Sequence, residues 1–160
     1  MAVYGDRSNY RVNQGDIFAG VPVPVPLPGT PATVMVISHD CELDKFLDPS
    51  RPLAESVRAE WRVTVAVVYA IDALGGDRPR AVREDAMARF FHLPAEEDLP
   101  ESAVDFWTEQ PVRMTEILEC ERTASLSPEW REKMWWKLIR LRLGKNYRAI
   151  LAGNVPADEA

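Results

Sequence analysis

Histidine and cysteine are scarce, with two of each in 160 residues. So few cysteines exclude a disulfide-stapled mini-protein, and Cys41 and Cys120 are expected as free thiols. No stretch approaches the roughly 18 uninterrupted apolar residues of a membrane span. Nor does an apolar block of signal-peptide type open the chain, so the expected location is the cytoplasm, with no membrane partner. Basic charge is not in excess either. The 25 acidic and 19 basic residues leave a net −6, which disfavours a generic nucleic-acid binder. What is present is 46% hydrophobic and 28% charged residues, enough for one globular domain with a real core and too apolar for a disordered chain.

No internal repeat or long linker divides the chain. The expected organisation of 1–160 is a polar leader over 1–13, a sheet-forming body over 14–120, a helix over 127–143 and a flexible tail over 152–160. The run Val21-Pro22-Val23-Pro24-Val25-Pro26-Leu27-Pro28 cannot be helical, since each ring fixes φ and removes a donor. Alternate N–H groups of an extended chain point the same way, so the prolines would blank one edge while Val21, Val23, Val25 and Leu27 face the other side. The reading is an edge strand or a stiff polyproline-like arm. Residues 33–38 are apolar on both faces, as in a central, doubly covered strand. A second long strand is expected over 61–71, a short helix over 80–89, and further strands over 89–93, 103–107 and 111–118.

The last element carries the clearest signals. Ser127 is placed as N-cap, Pro128 as first residue and Gly144 as stop. Trp130, Met134, Leu138 and Leu141 form one stripe at helical spacing, and Trp135, Trp136, Ile139 and Leu143 widen it beyond what a surface helix needs. Strands first and one amphipathic helix last predict a mainly β, α+β fold: a small, partly closed antiparallel barrel with a C-terminal helix.

Gln14-Gly15-Asp16-Ile17, then a strand preceded by Pro31 and ending Val36-Ile37-Ser38, resembles the opening of the PemK/MazF-like toxin family. The Val-rich stretch 63–68 and the sequence Ala124-Ser125-Leu126-Ser127-Pro128-Glu129 before the helix are similar to that family's later parts. The resemblance implies an SH3-like barrel, often a homodimer, that binds RNA, cuts it without metal as an endoribonuclease toxin, and pairs with an antitoxin. Two of the family's functional positions differ: Thr30 stands where an arginine precedes Pro31, and Tyr69 where a threonine is usual.

Chemistry is offered instead by Ser38-His39-Asp40-Cys41-Glu42 at the exit of the central strand. Metal-independent RNA cleavage needs a base for the 2′-OH and a cation for the phosphate. His39, Asp40, Cys41 and Glu42 are therefore the candidate catalytic residues, with His39 as base, and Arg62, Arg113 and Tyr69 the candidate substrate-binding ones. Continued strand alternation would put His39 and Cys41 on one face. Two other readings stay open. Cys41 could be a hydrolase nucleophile with His39 or His92 as its base. His39, Cys41, His92 and Cys120 are a chemically apt zinc set, although no Cys-x₂₋₄-Cys or His-x₃₋₅-His spacing is present. The bland alternative makes both thiols core residues and the acidic run a solvated turn. No cofactor is expected.

Charge is unevenly placed. Arg122, Arg131, Lys133, Lys137, Arg140, Arg142, Lys145 and Arg148 against Glu129 and Glu132 give the C-terminal region a balance of about +6. Lys133, Lys137 and Arg140 share one helix face, the one surface suited to phosphate, with Trp136 and Tyr147 as stacking surfaces. A non-catalytic assembly module is the competing reading, taking an antitoxin or another protein on the 21–28 edge or on the Trp130, Trp135 and Trp136 face.

Overall fold

The computed structural model describes residues 2–5, 11–25, 28–48, 50 and 52–144. Its strands are β1 (Asp16–Val23), β2 (Thr30–Val36), β3 (Arg62–Ala70), β4 (Phe90–Leu93), β5 (Ser102–Arg113) and β6 (Glu121–Ser125). The helices are α1 (Asp40–Leu47), α2 (Glu55–Glu60), α3 (Arg78–Arg83), α4 (Met114–Leu118) and α5 (Pro128–Leu143). Pro26, Leu27, Lys145, Tyr147, Arg148 and the expected tail lie outside the described residues, as do residues 1 and 6–10 of the expected leader. No described helix is long and apolar enough to cross a membrane.

Every strand pairing is antiparallel, in the order β4-β5-β3-β2-β1-β6. The central strands β2 and β3 are apolar on both faces because both faces are covered. Val34, Val36, Val63 and Val65 pack with Leu43 and Phe46 of α1 and with Met114 and Ile117 of α4. Met35, Ile37, Ala66 and Val68 pack on the opposite side with Met134 and Leu138 of α5. Alternation at period two sends neighbouring residues to the two cores.

The α+β class with a terminal helix is as expected, but the sheet does not close into a barrel. Its edges, β4 and β6, are joined by packing rather than by strand pairing. Phe91 and Leu93 of β4, Ala124 of β6 and the adjoining Leu126 form one cluster with Met134 and Leu138 of α5. Tyr4 adds a second link, since it bridges to Leu126 while its hydroxyl donates to the Pro94 carbonyl.

Further local expectations are refined or corrected. The proline run is an edge strand as expected, but only over Val21–Val23: β6 covers the outer side of β1 as far as Ala19, and the strand ends at Val23. Pro22 sits opposite Pro31, a pair of donorless residues suited to a site where the strands exchange no hydrogen bonds. Val21 and Val23 are buried with the prolines outside, as the alternation requires, but Val25 is exposed. The segment after β2 turns into α1 instead of continuing extended. His39 caps it through Nδ1, which accepts from the Cys41 N–H, Asp40 and Glu42 sit at the positive end of its dipole, and Leu43 and Phe46 supply a helical burial stripe. Residues 114–118 are helical for a similar reason: Glu116 reaches back to the Arg113 amide, and Met114 and Ile117 bury one face. The strand expected at 103–107 and the first part of the one expected at 111–118 are one continuous β5, and α3 is shorter and earlier than the helix expected at 80–89.

The Gln14-Gly15-Asp16 motif joins these parts. Gly15 has φ 84°, and a Cβ there would meet the Arg131 Cγ at 3.1 Å and Leu126 at 3.2 Å. The Gln14 amide donates to the Ile37 carbonyl, and its backbone N–H to Asp40. Asp16 is fully buried, accepting from the Asn13 N–H and the Ser125 hydroxyl, with Arg122 Nε at 3.4 Å. Ser127 takes the N-cap position of α5 as expected, yet its hydroxyl donates to the Ala2 carbonyl rather than capping the helix.

Candidate functional site

Lys133, Lys137 and Arg140 fall on one stripe of α5 because they are spaced at i, i+4 and i+7. That stripe faces the end of α3 and the outer side of β4 across a cavity of about 510 Å³. Trp130 and Trp136 contribute indole faces from α5, and Arg83, Asp85 and His92 come from the opposite wall. Trp130 packs edge-on against Phe91, with centroids 5.9 Å apart, and the Lys133 ammonium lies 4.6 Å from its ring centroid. Trp136 is 41% exposed, its N–H directed to Glu132 at 3.3 Å. The Trp130 indole N–H is buried and has no partner among the described residues.

Pairing of β4 with β5 sets His92 opposite Ala103 and brings Glu101 within reach. His92 Nε2 and Glu101 Oε1 are 2.8 Å apart, and Arg83 donates to both Glu101 oxygens at 2.8 and 2.7 Å. The Arg83 guanidinium, and after it His92, hold the Glu101 carboxyl down to about 2, so it is ionised throughout the physiological range. Lys137, though charged, is buried, and its ammonium donates to Asp85. Asp85 ends α3 in a Schellman turn, with φ 55°, its own N–H on the Val82 carbonyl and the Ala86 N–H on that of Ala81. The result is an open, cation-lined slot with flat apolar walls, suited to an anion that carries a planar group.

The residues singled out in the sequence are dispersed around the molecule. His39 is exposed and edge-on to Trp135, with ring centroids 5.7 Å apart. Asp40 accepts from the Gln14 backbone N–H, while Cys41 and Glu42 are exposed on the first turn of α1. The arrangement of His39 and Cys41 on one strand face is therefore corrected, because the backbone there is helical. His92 lies in the α5 cleft, and Cys120 is half-buried with its thiol on the Glu116 carbonyl. Among the described residues no three His, Cys, Asp or Glu side chains group to hold a metal, so the tetrad His39, Cys41, His92 and Cys120 is not assembled.

Arg62 and Arg113 do meet, directly opposite each other on β3 and β5, in a shallow groove beside Pro22 and Pro24. Each has an acidic neighbour: Glu60 is 3.9 Å from Arg62, and Glu116 is 2.6 Å from Arg113. Tyr69 stands seven residues further along β3, about 23 Å from Arg62 at strand rise, so the proposed substrate-binding trio is split. Burial first, and then Asp105, raises the Tyr69 phenol, against the opposing effect of Arg89. Burial also raises the Cys120 thiol, helped by Glu119 and Glu116. Iodoacetamide at neutral pH is accordingly expected to label Cys41 well before Cys120, and equal rates in the native protein would contradict the structure.

Sequence reading found the α5 cations and Trp136 but not Arg83, Asp85 and Glu101. Arg83 and Asp85 fell inside the helix expected over 80–89, and Glu101 carried no local signal. No protein-family model matches the chain, and no curated protein matches it in sequence.

Proposed function

We propose that the chain binds single-stranded RNA in the cleft between α5 and the β4–α3 wall. The observation that carries this reading is the juxtaposition of Lys133, Lys137 and Arg140 with the exposed Trp136 face in one open slot. Phosphates take the cations and an unstacked base takes the indole, the two components of sequence-tolerant single-strand binding. A duplex keeps its bases stacked inside and offers nothing to Trp136. The PemK/MazF-like resemblance points to the same ligand class. The stronger form of the reading, cleavage of the bound strand, places the base at His92 in the cleft, since His39 caps α1.

Fluorescence anisotropy with a labelled ten-nucleotide uridylate tests it. Lys133→Ala combined with Arg140→Ala is expected to weaken binding at least about 10-fold and to reduce the salt slope by about 1.4, as two lost single-strand phosphate contacts require. Trp136→Ala is expected to cost about 1–3 kcal/mol of affinity through lost stacking. Wild-type affinity in both variants would defeat the proposal.

A protein-assembly role is the second reading, favoured by one observation at the β1–β2 hairpin. The Gln110 side-chain amide both accepts from the Val25 N–H at 2.8 Å and donates to its carbonyl at 3.0 Å. This holds an exposed Val25 beside Pro24 as a rigid apolar tip for an antitoxin-like partner or a second copy of the chain.

A further inference from the structure

We infer that Asp85 is a displaceable counterion, so that the cleft yields its buried cation, Lys137, to a ligand that brings its own phosphate. The inference rests on the RNA-binding reading above and concerns how that site is controlled.

Two ion pairs line the cleft, and they are built differently. Glu101 commits both oxygens to Arg83 and shares one of them with His92, so a phosphate that replaced it would break three hydrogen bonds. Asp85 meets Lys137 through one oxygen. The exposure of that second pair is lopsided, with 67% of the Asp85 side chain accessible but only 9% of the Lys137 side chain. Once released, the Asp85 carboxylate is already largely in water. Lys137 has no such exit, and a buried ammonium left without an anion is strongly penalised. One partner is thus free to leave, and the other must be given a replacement.

Backbone geometry fits this asymmetry. Asp85 occupies the left-handed position of a Schellman turn, which glycine normally fills. Its carboxylate is carried on a helix end and reaches over the cleft rim, not out of the packed sheet. Lys133 and Arg140 flank Lys137 by one turn on either side of the same helix face. A strand phosphate held between them is beside the Lys137 ammonium and in competition with Asp85 for it. The exchange swaps one anion for another and moves no proton.

Asp85→Asn tests the inference, because asparagine keeps the size and tolerates positive φ while removing the charge. Anisotropy with the labelled uridylate should show about 10-fold tighter binding than wild type, the scale of one charge-assisted hydrogen bond no longer contested. The salt slope should steepen by about 0.7, because no released carboxylate recaptures a cation. Glu101→Gln, which removes the same charge from the fixed pair, should give no such gain. Equal or weaker binding by Asp85→Asn, or an equal gain in Glu101→Gln, overturns the counterion role. If that occurs while the Lys133 and Arg140 substitutions still weaken binding, the cleft remains the RNA site. A wild-type protein that does not bind the oligomer overturns both.

Discussion

Leu138→Ala is expected to lower the free energy of unfolding by about 2–5 kcal/mol. Leu138 is fully buried, and the cavity its removal leaves lies where the two sheet edges meet α5. Phe91 and Leu93 on one edge and Leu126 beside the other cannot all collapse into that space while their backbones stay paired. The loss belongs to the position and not to α5 as a whole. Trp136→Ala, on the exposed side of the same helix, should change stability by no more than about 0.5 kcal/mol. Urea denaturation with unchanged m-values would measure both. A Leu138→Ala loss below about 1 kcal/mol would mean that α5 does not join the sheet edges as described.

Asp16→Ala should be similarly damaging, at about 2–4 kcal/mol, because it takes the acceptor from the Asn13 amide and from the buried Ser125 hydroxyl and leaves Arg122 without this carboxylate. Asp16→Asn separates charge from hydrogen bonding through its pH dependence. Burial raises the Asp16 carboxyl above its ordinary 3.8, and this outweighs the hydrogen bonds from Ser125 and Asn13 and the nearby Arg122 and Arg131. A raised folded value means that the group favours the fold when protonated. Its contribution is full below 3.8 and is lost as pH rises through the folded value. The stability difference between Asp16→Asn and wild type should therefore shift toward the variant as pH climbs from about 4 to 7. Glu101 acts in the opposite sense over a lower window: depressed to about 2 from 4.5, it stabilises above 4.5 and loses that contribution as pH falls toward 2. A difference that stays flat between pH 4 and 7 would show that Asp16 is not burdened by its burial.

The parts of the fold that were legible in the sequence are those specified by neighbours in the chain. Pro128 and Gly144 bracket α5 at their own positions, and the apolar continuity of 33–38 reports two covered faces directly. The exit of β2 was found but given the wrong backbone. His39-Asp40-Cys41-Glu42 alternates acceptably as strand, and the spacing of Leu43, Phe46 and Leu47 that marks a helix begins only afterwards. β6 was missed because Glu121–Ser125 has few of the branched apolar residues that announce a strand. Its inward residues, Thr123 and Ala124, gain their place from β1 and α5.

The candidate site was half visible. Lys133, Lys137 and Arg140 share a face by helical arithmetic alone. The opposite wall depends on tertiary geometry: Asp85 is 52 residues from Lys137, and Glu101 is set beside His92 only by the β4–β5 register. The scarcity of histidine drew attention to His39 and Cys41 as neighbours, whereas the imidazole in the cleft is His92.

The sheet order also imposes a timetable on folding. Asp16 and Ser125, whose side chains meet across β1 and β6, are 109 residues apart in the chain. At roughly 5–20 residues per second of synthesis, the outer rim of β1 emerges about 5–20 s before its partner exists. Through that interval β1, β2 and β3 can zip together, leaving Asp16–Ala19 as a bare row of donors and acceptors open to any passing chain. Pro22 and Pro24 blank the continuation of the same row. In the nascent protein they would act as a guard, shortening the length of strand on which a neighbour could template itself.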